Sequence, residues 1–448
     1  MDLAPKVTRK YLERHAEREA EVADRIGAFG HALVVPAFGE GDELARMLRT
    51  VPRGPRGDVL VVLVVNGKAS APAWVHDRNH AVRARLGDAF GRAEEIVSTD
   101  PPAYFVDFAP GRILVVDRFT SPGWFPDDQG VGLARKIGVD LCARLHASGR
   151  LASSFVHTTD ADVELPNDYF DRTPTGPAAA LLFPFFHRPD DDPRLARAVL
   201  LYEISLRYYV LGLSFASSPY AFHTIGSTIA TDVGAYMKVR GFPKRDAAED
   251  FYLLSKLAKV GPIVPLAGRP IAIQGRVSSR VPFGTGAAVG RIAADRTERF
   301  KMYDSTLFRY LRAWLRSLDE VDRMMSERAL DDAIAHRCDE EALDGRPLFA
   351  ALHVLGAPGA VAAAQRSATS SEAVRRRLAI WFDAFRTLKL IHLLQRGGLY
   401  QVDWFEALRR APFTRTTVEQ VGGPLPESRD ELTAIVESLA LLERARAF

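Results

Sequence analysis

From His31 onward, short apolar runs alternate with stretches whose apolar residues return every three or four positions, the pattern of strands followed by helices. Residues 32–35 form the first run, stopped by Pro36, and a helix opens at Asp42 with Leu44, Met47, Leu48 and Val51 on one face. Residues 59–65 are apolar without interruption and rich in valine, as a strand buried on both faces requires, and the run stops at Asn66-Gly67. A helix over residues 132–145 carries Leu133, Ile137, Leu141 and Leu145 at four-residue spacing, and residues 155–159 read as the next strand. This order predicts an α/β fold with a mostly parallel central sheet, in which ligands bind beyond the carboxyl ends of the strands.

The flanks differ. Residues 9–26 read as a polar helix with sparse apolar positions (Leu12, Ala16, Ala23, Ile26), lying on the domain that follows. Beyond residue 295 the strand signals fade. Tyr303, Leu307, Leu311, Trp314 and Leu318 mark one amphipathic helix, and Leu378, Trp381, Phe385 and Leu388 mark another that stops at Gly397-Gly398. Residues 365–372 form a polar connector between them. The expected division is an N-terminal helical appendage at 1–30, a catalytic α/β domain at 31–294, and a helical C-terminal region at 295–448.

Composition narrows the function classes. The chain of 448 residues is 47% hydrophobic and 26% charged, an ordinary globular balance, and its 59 basic and 56 acidic residues leave a formal charge of only +3. No nucleic-acid partner is expected from that charge. Cys142 and Cys338 are far apart and show no metal-ligand spacing, so a disulfide framework and a zinc site are both disfavoured and a cytoplasmic location is expected. Residues 9–25 lack the apolar core of a signal peptide. The most apolar stretches, residues 178–186 and 208–216, fall short of the roughly 18–20 residues of a membrane span, so no transmembrane segment is expected. Residues 202–215 mix aromatic and aliphatic side chains, which leaves buried core, an apolar acceptor pocket and peripheral membrane contact as readings.

Two acidic pairs are the candidate chemistry. Asp160 and Asp162 follow the strand at 155–159, and in extended chain positions two apart face the same side. Such a pair suits a hard cation such as Mg²⁺ or Mn²⁺, or is simply a solvated turn. Glu249 and Asp250 open a helix carrying Leu253, Leu254 and Leu257, where the helix dipole favours them and where one could serve as a general base. His157 and His223 read as packed or hydrogen-bonded residues, not ligands. Gly130-Val131-Gly132 follows no strand, which excludes a dinucleotide fingerprint.

The order of the segments resembles the family 2 glycosyltransferases and their GT-A relatives over roughly residues 31–290. Residues 33–40 (Leu-Val-Val-Pro-Ala-Phe-Gly-Glu) look like the opening strand and loop of that family, and Val64-Val65-Asn66-Gly67 like the tip of its second strand. Gly132-Leu133-Ala134-Arg135-Lys136-Ile137-Gly138 looks like the helix before its metal motif, and Asp160-Ala161-Asp162 like that motif. Residues 226–230 with Gly241-Phe242 and Glu249-Asp250 look like its acceptor-side segment. The resemblance implies a GT-A-type nucleotide-binding domain in which Pro36, Ala37, Glu40 and Asn66 line the base and ribose, and Arg135 approaches the base or diphosphate. It further implies that Asp160 contacts the ribose or sugar, Asp162 and Asp160 hold Mg²⁺ or Mn²⁺, Asp250 is the general base, and Glu249 holds an acceptor hydroxyl. Residues 276–286, including Arg280, occupy the place where such enzymes close over the diphosphate, and read either as a donor clamp or as a surface loop.

Asn66 stands where many relatives have aspartate, and Arg240 stands for the first of two glycines before the acidic pair. A Gln-x-x-Arg-Trp motif is absent, so a non-processive enzyme is expected. The implied reaction moves a sugar from a UDP-, GDP- or dTDP-linked donor to a hydroxyl of a small or lipid-linked acceptor, with inversion. A retaining transferase on the same fold and a catalytically inactive sugar-nucleotide-binding scaffold are the alternatives. The C-terminal helices are candidates for acceptor cover or homo-oligomer contacts.

Overall fold

The computed structural model describes residues 5–91, 93–95, 100, 102–277, 284–295, 300–399, 401–414 and 425–447. They form two compact units, one of residues 1–190 with 224–288 and one of residues 191–223 with 289–448. The segment 191–223, assigned from its place in the sequence to the α/β domain, thus belongs to the helical unit, and residues 1–30 belong to the α/β unit.

In the α/β unit the strands are β1 (His31–Ala37), β2 (Val59–Asn66), β3 (Ala93–Glu95), β4 (Ala103–Phe108), β5 (Gly111–Arg118), β6 (Phe155–Thr158), β7 (Val163–Glu164), β8 (Ala180–Leu182), β9 (Phe185–Arg188), β10 (Ile229–Asp232), β11 (Ile263–Pro265) and β12 (Ile271–Gln274). Among the described residues the main sheet runs β11-β8-β10-β6-β1-β2-β5-β4-β3, and β7-β12-β9 form a second sheet. The centre, β6-β1-β2-β5, is parallel as the sequence pattern implies. Antiparallel pairings flank it, where β10 enters between β6 and β8 and where β3 and β4 extend the other edge. Every residue of β1 and β2 is buried, which is why these runs carry no polar alternation. Pro36 does not end β1: pairing with β6 stops at Val34, so Pro36 lies past the last paired position on that side and is tolerated.

The helix Val131–Ala147 lies flush on the sheet, because a Cβ on Gly138 would come 2.3 Å from the Val34 side chain. The N-terminal segment is tied to that helix. It is a helix at Pro5–Arg14 followed by a 3₁₀ turn at Arg18–Arg25, not one continuous helix. The break falls where the buried Asp140 carboxylate accepts the Tyr11 hydroxyl at 2.5 Å, the Glu17 N–H at 2.8 Å and Lys136 Nζ at 2.8 Å. With Tyr11, Val22, Ala23 and Ile26 buried, this segment is part of the core rather than a surface appendage.

The helical unit packs Tyr208, Phe308, Trp314, Trp404 and Phe413 at its centre. The second amphipathic stretch is two helices, Ser371–Trp381 and Ala384–Arg396, because Asp383 caps the latter by accepting the Arg386 N–H. Helix Pro193–Phe215 is long and apolar enough by length and composition to cross a membrane, unlike the shorter runs seen in the sequence, but 61% of its apolar window is buried in the protein. It also carries the buried Glu203–Arg207 pair, and Arg207 Nη1 reaches Glu443 of the C-terminal helix at 2.6 Å. Most of residues 202–215 pack in the core, with Tyr202, Leu206, Tyr209, Val210 and Phe215 half-buried.

Candidate functional site

The tips of β1 and β2 are held by amides. Asn66 donates through Nδ2 to Ala37 O at 2.9 Å and to Val64 O at 3.3 Å, and its own carbonyl accepts Asn79 Nδ2 at 2.9 Å. Asn79 Oδ1 accepts the Gly39 N–H at 2.9 Å, while Arg78 and Arg85 donate to Gly39 O and Glu40 O. The loop 38–40 is thus fixed from the helix Ala73–Phe90, and Gly39 meets it in the left-handed region, φ 63°. Pro36, Ala37, Glu40 and Asn66 lie at this edge; all four are buried, and the side-chain amide of Asn66 is occupied by backbone. Asn79 is a polar residue on the apolar stripe Val75, Val82 and Leu86.

At the end of β6 the acidic pairs meet one arginine. Arg135 Nη1 donates to Glu249 Oε1 and Nη2 to Asp160 Oδ1. The guanidinium is buried against Gly226, where a Cβ would lie 2.6 Å from it. That segment is pinned beneath β6 by Thr158 Oγ1 on Gly226 O at 2.8 Å and Thr159 Oγ1 on Ser227 O at 3.0 Å. Burial opposes the charge on Arg135, but Asp160, Glu249 and Asp250 outweigh it and raise its pKa. Arg135 is therefore a buried tie between the two acidic pairs, not a side chain reaching into open cleft. Gly226→Ala is expected to lose about 1–3 kcal/mol by over-packing, measured by denaturant unfolding; unchanged stability would mean the guanidinium can shift freely.

Asp250 is pushed up to about 7, first by burial and then by the charge of Glu249, with Arg135 pulling the other way. Its Oδ1 accepts the Phe251 N–H at 2.7 Å at the start of the helix Glu249–Leu257. Glu249 is likewise raised by burial, against the opposing charge of Arg135. The approach to this helix is strained: Arg240, at the place of the expected glycine, has φ 64°, Gly241 φ 70° and Ala248 φ 61°. The turn 243–246 packs on Gly130 and Gly132, where a Cβ would lie 2.5 Å from Asp246 Oδ1 and 2.3 Å from Pro243 O. Close packing explains those two glycines.

Asp160 and Asp162 are engaged by different arginines. The chain turns at Ala161–Asp162, and Asp162 O accepts the Gln274 N–H at 3.2 Å. The Asp162 carboxylate accepts Arg276 Nε and Nη2 at 2.8 Å, and that guanidinium also lies 3.6 Å from Glu40 and from Glu43. A cleft of about 360 Å³ opens here, lined by residues including Glu43, Thr50, Asp162, Arg188 and Arg276. Among the described residues no group of three or more His, Cys, Asp or Glu side chains is placed to hold a metal ion. The oxygen donors at Asp160 and Asp162 are of the type that Mg²⁺ and Mn²⁺ take, so they fit a cation only where further ligands come from a donor phosphate and water. Of the proposed clamp, Arg276 and Val277 are placed, Thr285 and Gly286 open the helix Thr285–Ala294, and Arg280 lies outside the described residues.

Neither histidine joins the acidic groups as a ligand. His157 is buried among Tyr169, Phe170 and Phe183, and burial drives its pKa down to about 3, so it is neutral. His223 Nε2 lies 2.8 Å from Glu443 Oε1 in the helical unit.

No family model matches the chain, and no curated protein matches it. Among solved structures, the mannosyltransferase PcManGT from Pyrobaculum calidifontis, in complex with GDP-Man and Mn²⁺, is 16% identical, with 86% of this chain and 95% of that one covered, at a TM-score of 0.30. TarS from S. aureus, in complex with UDP-GlcNAc, is 10% identical, with 93% and 91% covered, also at a TM-score of 0.30. Likeness at that level bears on neither substrate nor reaction.

Proposed function

We propose that the chain is a non-processive glycosyltransferase of GT-A type, similar to family 2, that moves a sugar from a nucleoside-diphosphate donor to an acceptor hydroxyl with inversion. The observation that carries this is Asp250, a carboxyl poised near neutrality at the start of a helix and tied through Glu249 and Arg135 to Asp160 at the end of a central parallel strand. A general base works best with a pKa near the working pH, and ligands bind at this edge of an α/β sheet.

In the reaction the acceptor oxygen forms a bond to the anomeric carbon, the bond from that carbon to the diphosphate oxygen breaks, and the acceptor proton passes to Asp250. The nucleoside diphosphate leaves with the bonding pair. Glu249, paired to Arg135, orients the acceptor side, while Pro36, Ala37, Glu40 and Asn66 shape the wall for the nucleoside and Arg276 faces the diphosphate. Asp162, with Asp160, would hold Mg²⁺ or Mn²⁺, which as a Lewis acid stabilises the charge on the departing diphosphate.

The test is a thermal-shift panel of UDP, GDP, dTDP, CDP and ADP, each with and without Mn²⁺, on the wild type and on Asp162→Ala. A ligand at about a hundred times its Kd adds about 2.7 kcal/mol of stability. The expected result is that one diphosphate stabilises the wild type only with Mn²⁺ and leaves Asp162→Ala unaffected. No stabilisation by any of them sinks the proposal.

A further inference from the structure

In the helical unit, the helix Ser371–Trp381 carries three consecutive arginines that behave differently. Arg375 turns inward and donates to Asp319 O and Val321 O at 3.5 Å each. Arg376 and Arg377 are exposed and make no hydrogen bond or ion pair among the described residues. Both line a surface hollow of about 420 Å³ together with Ser367, Thr369, Ala373 and Ile380. Beside it, Arg323 donates to Thr369 O at 3.3 Å, and Gln365 holds the 322–325 turn by donating to Asp322 O at 2.8 Å and Met325 O at 2.9 Å.

That turn displays Met324, 89% exposed, and Ile380 on the neighbouring helix is 43% exposed. Residues 319–325 and 365–381 together hold five arginines against four carboxylates, Asp319, Glu320, Asp322 and Glu372, of which Glu320 is already paired with Arg337. The Asp322 carboxylate is already engaged by the Met324 N–H at 2.7 Å. The patch therefore pairs unneutralised guanidiniums with protruding apolar side chains around a hollow lined by hydroxyls.

We propose that this patch is a docking surface for an anionic lipid bilayer. Guanidiniums take headgroup phosphates, and apolar side chains beside them enter the boundary between headgroups and acyl chains. A purely polyanionic partner such as nucleic acid would account for the arginines but not for Met324 and Ile380. The inference is independent of the sugar-transfer reading, since none of these residues belongs to the α/β unit.

The test is co-sedimentation of the full chain with large vesicles of phosphatidylcholine alone, or of phosphatidylcholine with added phosphatidylglycerol. The chain is expected to pellet with the mixed vesicles at low salt and to stay in solution with phosphatidylcholine alone. The double change Arg376→Gln with Arg377→Gln weakens binding about 30-fold, from about 1 kcal/mol per arginine at an anionic surface. Added salt weakens the wild type in the same direction. Ile380→Ser, which leaves the charge intact, weakens binding at every salt concentration, and both variants melt with the wild type. Failure of the wild type to pellet with mixed vesicles at low salt overturns the proposal, as does equal pelleting of wild type and the arginine variant.

Discussion

Asp250→Asn is expected to reduce turnover by about 10²–10⁴-fold, the usual worth of a general base, while leaving nucleoside diphosphate binding intact. Wild-type kcat/KM should rise with pH through about 7, where Asp250 loses its proton. The residual rate of the variant should show no such limb. Stability should move the opposite way. Folding raises the pKa of Asp250, so the stability its protonated form contributes is complete below the ordinary carboxylate value of about 3.9 and is lost as pH rises through about 7. The asparagine variant has no charge to bury, and above neutral pH it should melt higher than the wild type. A variant with full activity would remove Asp250 from the mechanism, while lost activity together with lost diphosphate binding would point to a damaged site rather than a missing base.

The parallel centre of the sheet was legible because β1 and β2 are buried on both faces, so their residues had to be apolar throughout. The acidic pairs were legible as residues at the ends of elements. Their geometry was not, because it depends on arginines far away in the chain. The alternation rule put Asp160 and Asp162 on one face, yet Arg135 holds one and Arg276 the other, and the chain turns at Ala161–Asp162. Local periodicity also says which face of a helix is apolar but not which core receives it, hence the placing of Pro193–Phe215 with the wrong neighbours. Tyr11 and Glu17 likewise bend the N-terminal segment through Asp140, more than a hundred residues on. Two departures were readable in principle. Arg240 adopts the glycine-like φ of 64° directly before Gly241, and Asn79 breaks an apolar stripe because it fastens the loop at Gly39.

Arg135→Met is expected to be the most damaging single change in the α/β unit, costing about 3–5 kcal/mol, because it leaves a buried charge without its partner. Glu249 is only 3% exposed, so water cannot replace the lost guanidinium, whereas Asp160 at 39% can be rehydrated. The loss should therefore fall mainly on Glu249, and its pH dependence follows. Without Arg135 the Glu249 carboxyl rises further above its unfolded value, and its protonated form stabilises the fold below that unfolded value and ceases to do so as pH rises. The gap between wild type and Arg135→Met should thus narrow as pH falls. Glu249→Gln placed on Arg135→Met should recover much of the loss, since a neutral amide needs no counter-charge, although Glu249→Gln alone strands the arginine and destabilises. Urea unfolding of the four proteins as a double-mutant cycle measures this directly. A coupling of a few kcal/mol makes Arg135 the counter-charge that holds the buried Glu249, and additive losses would mean that the buried pair is held by the surrounding packing alone.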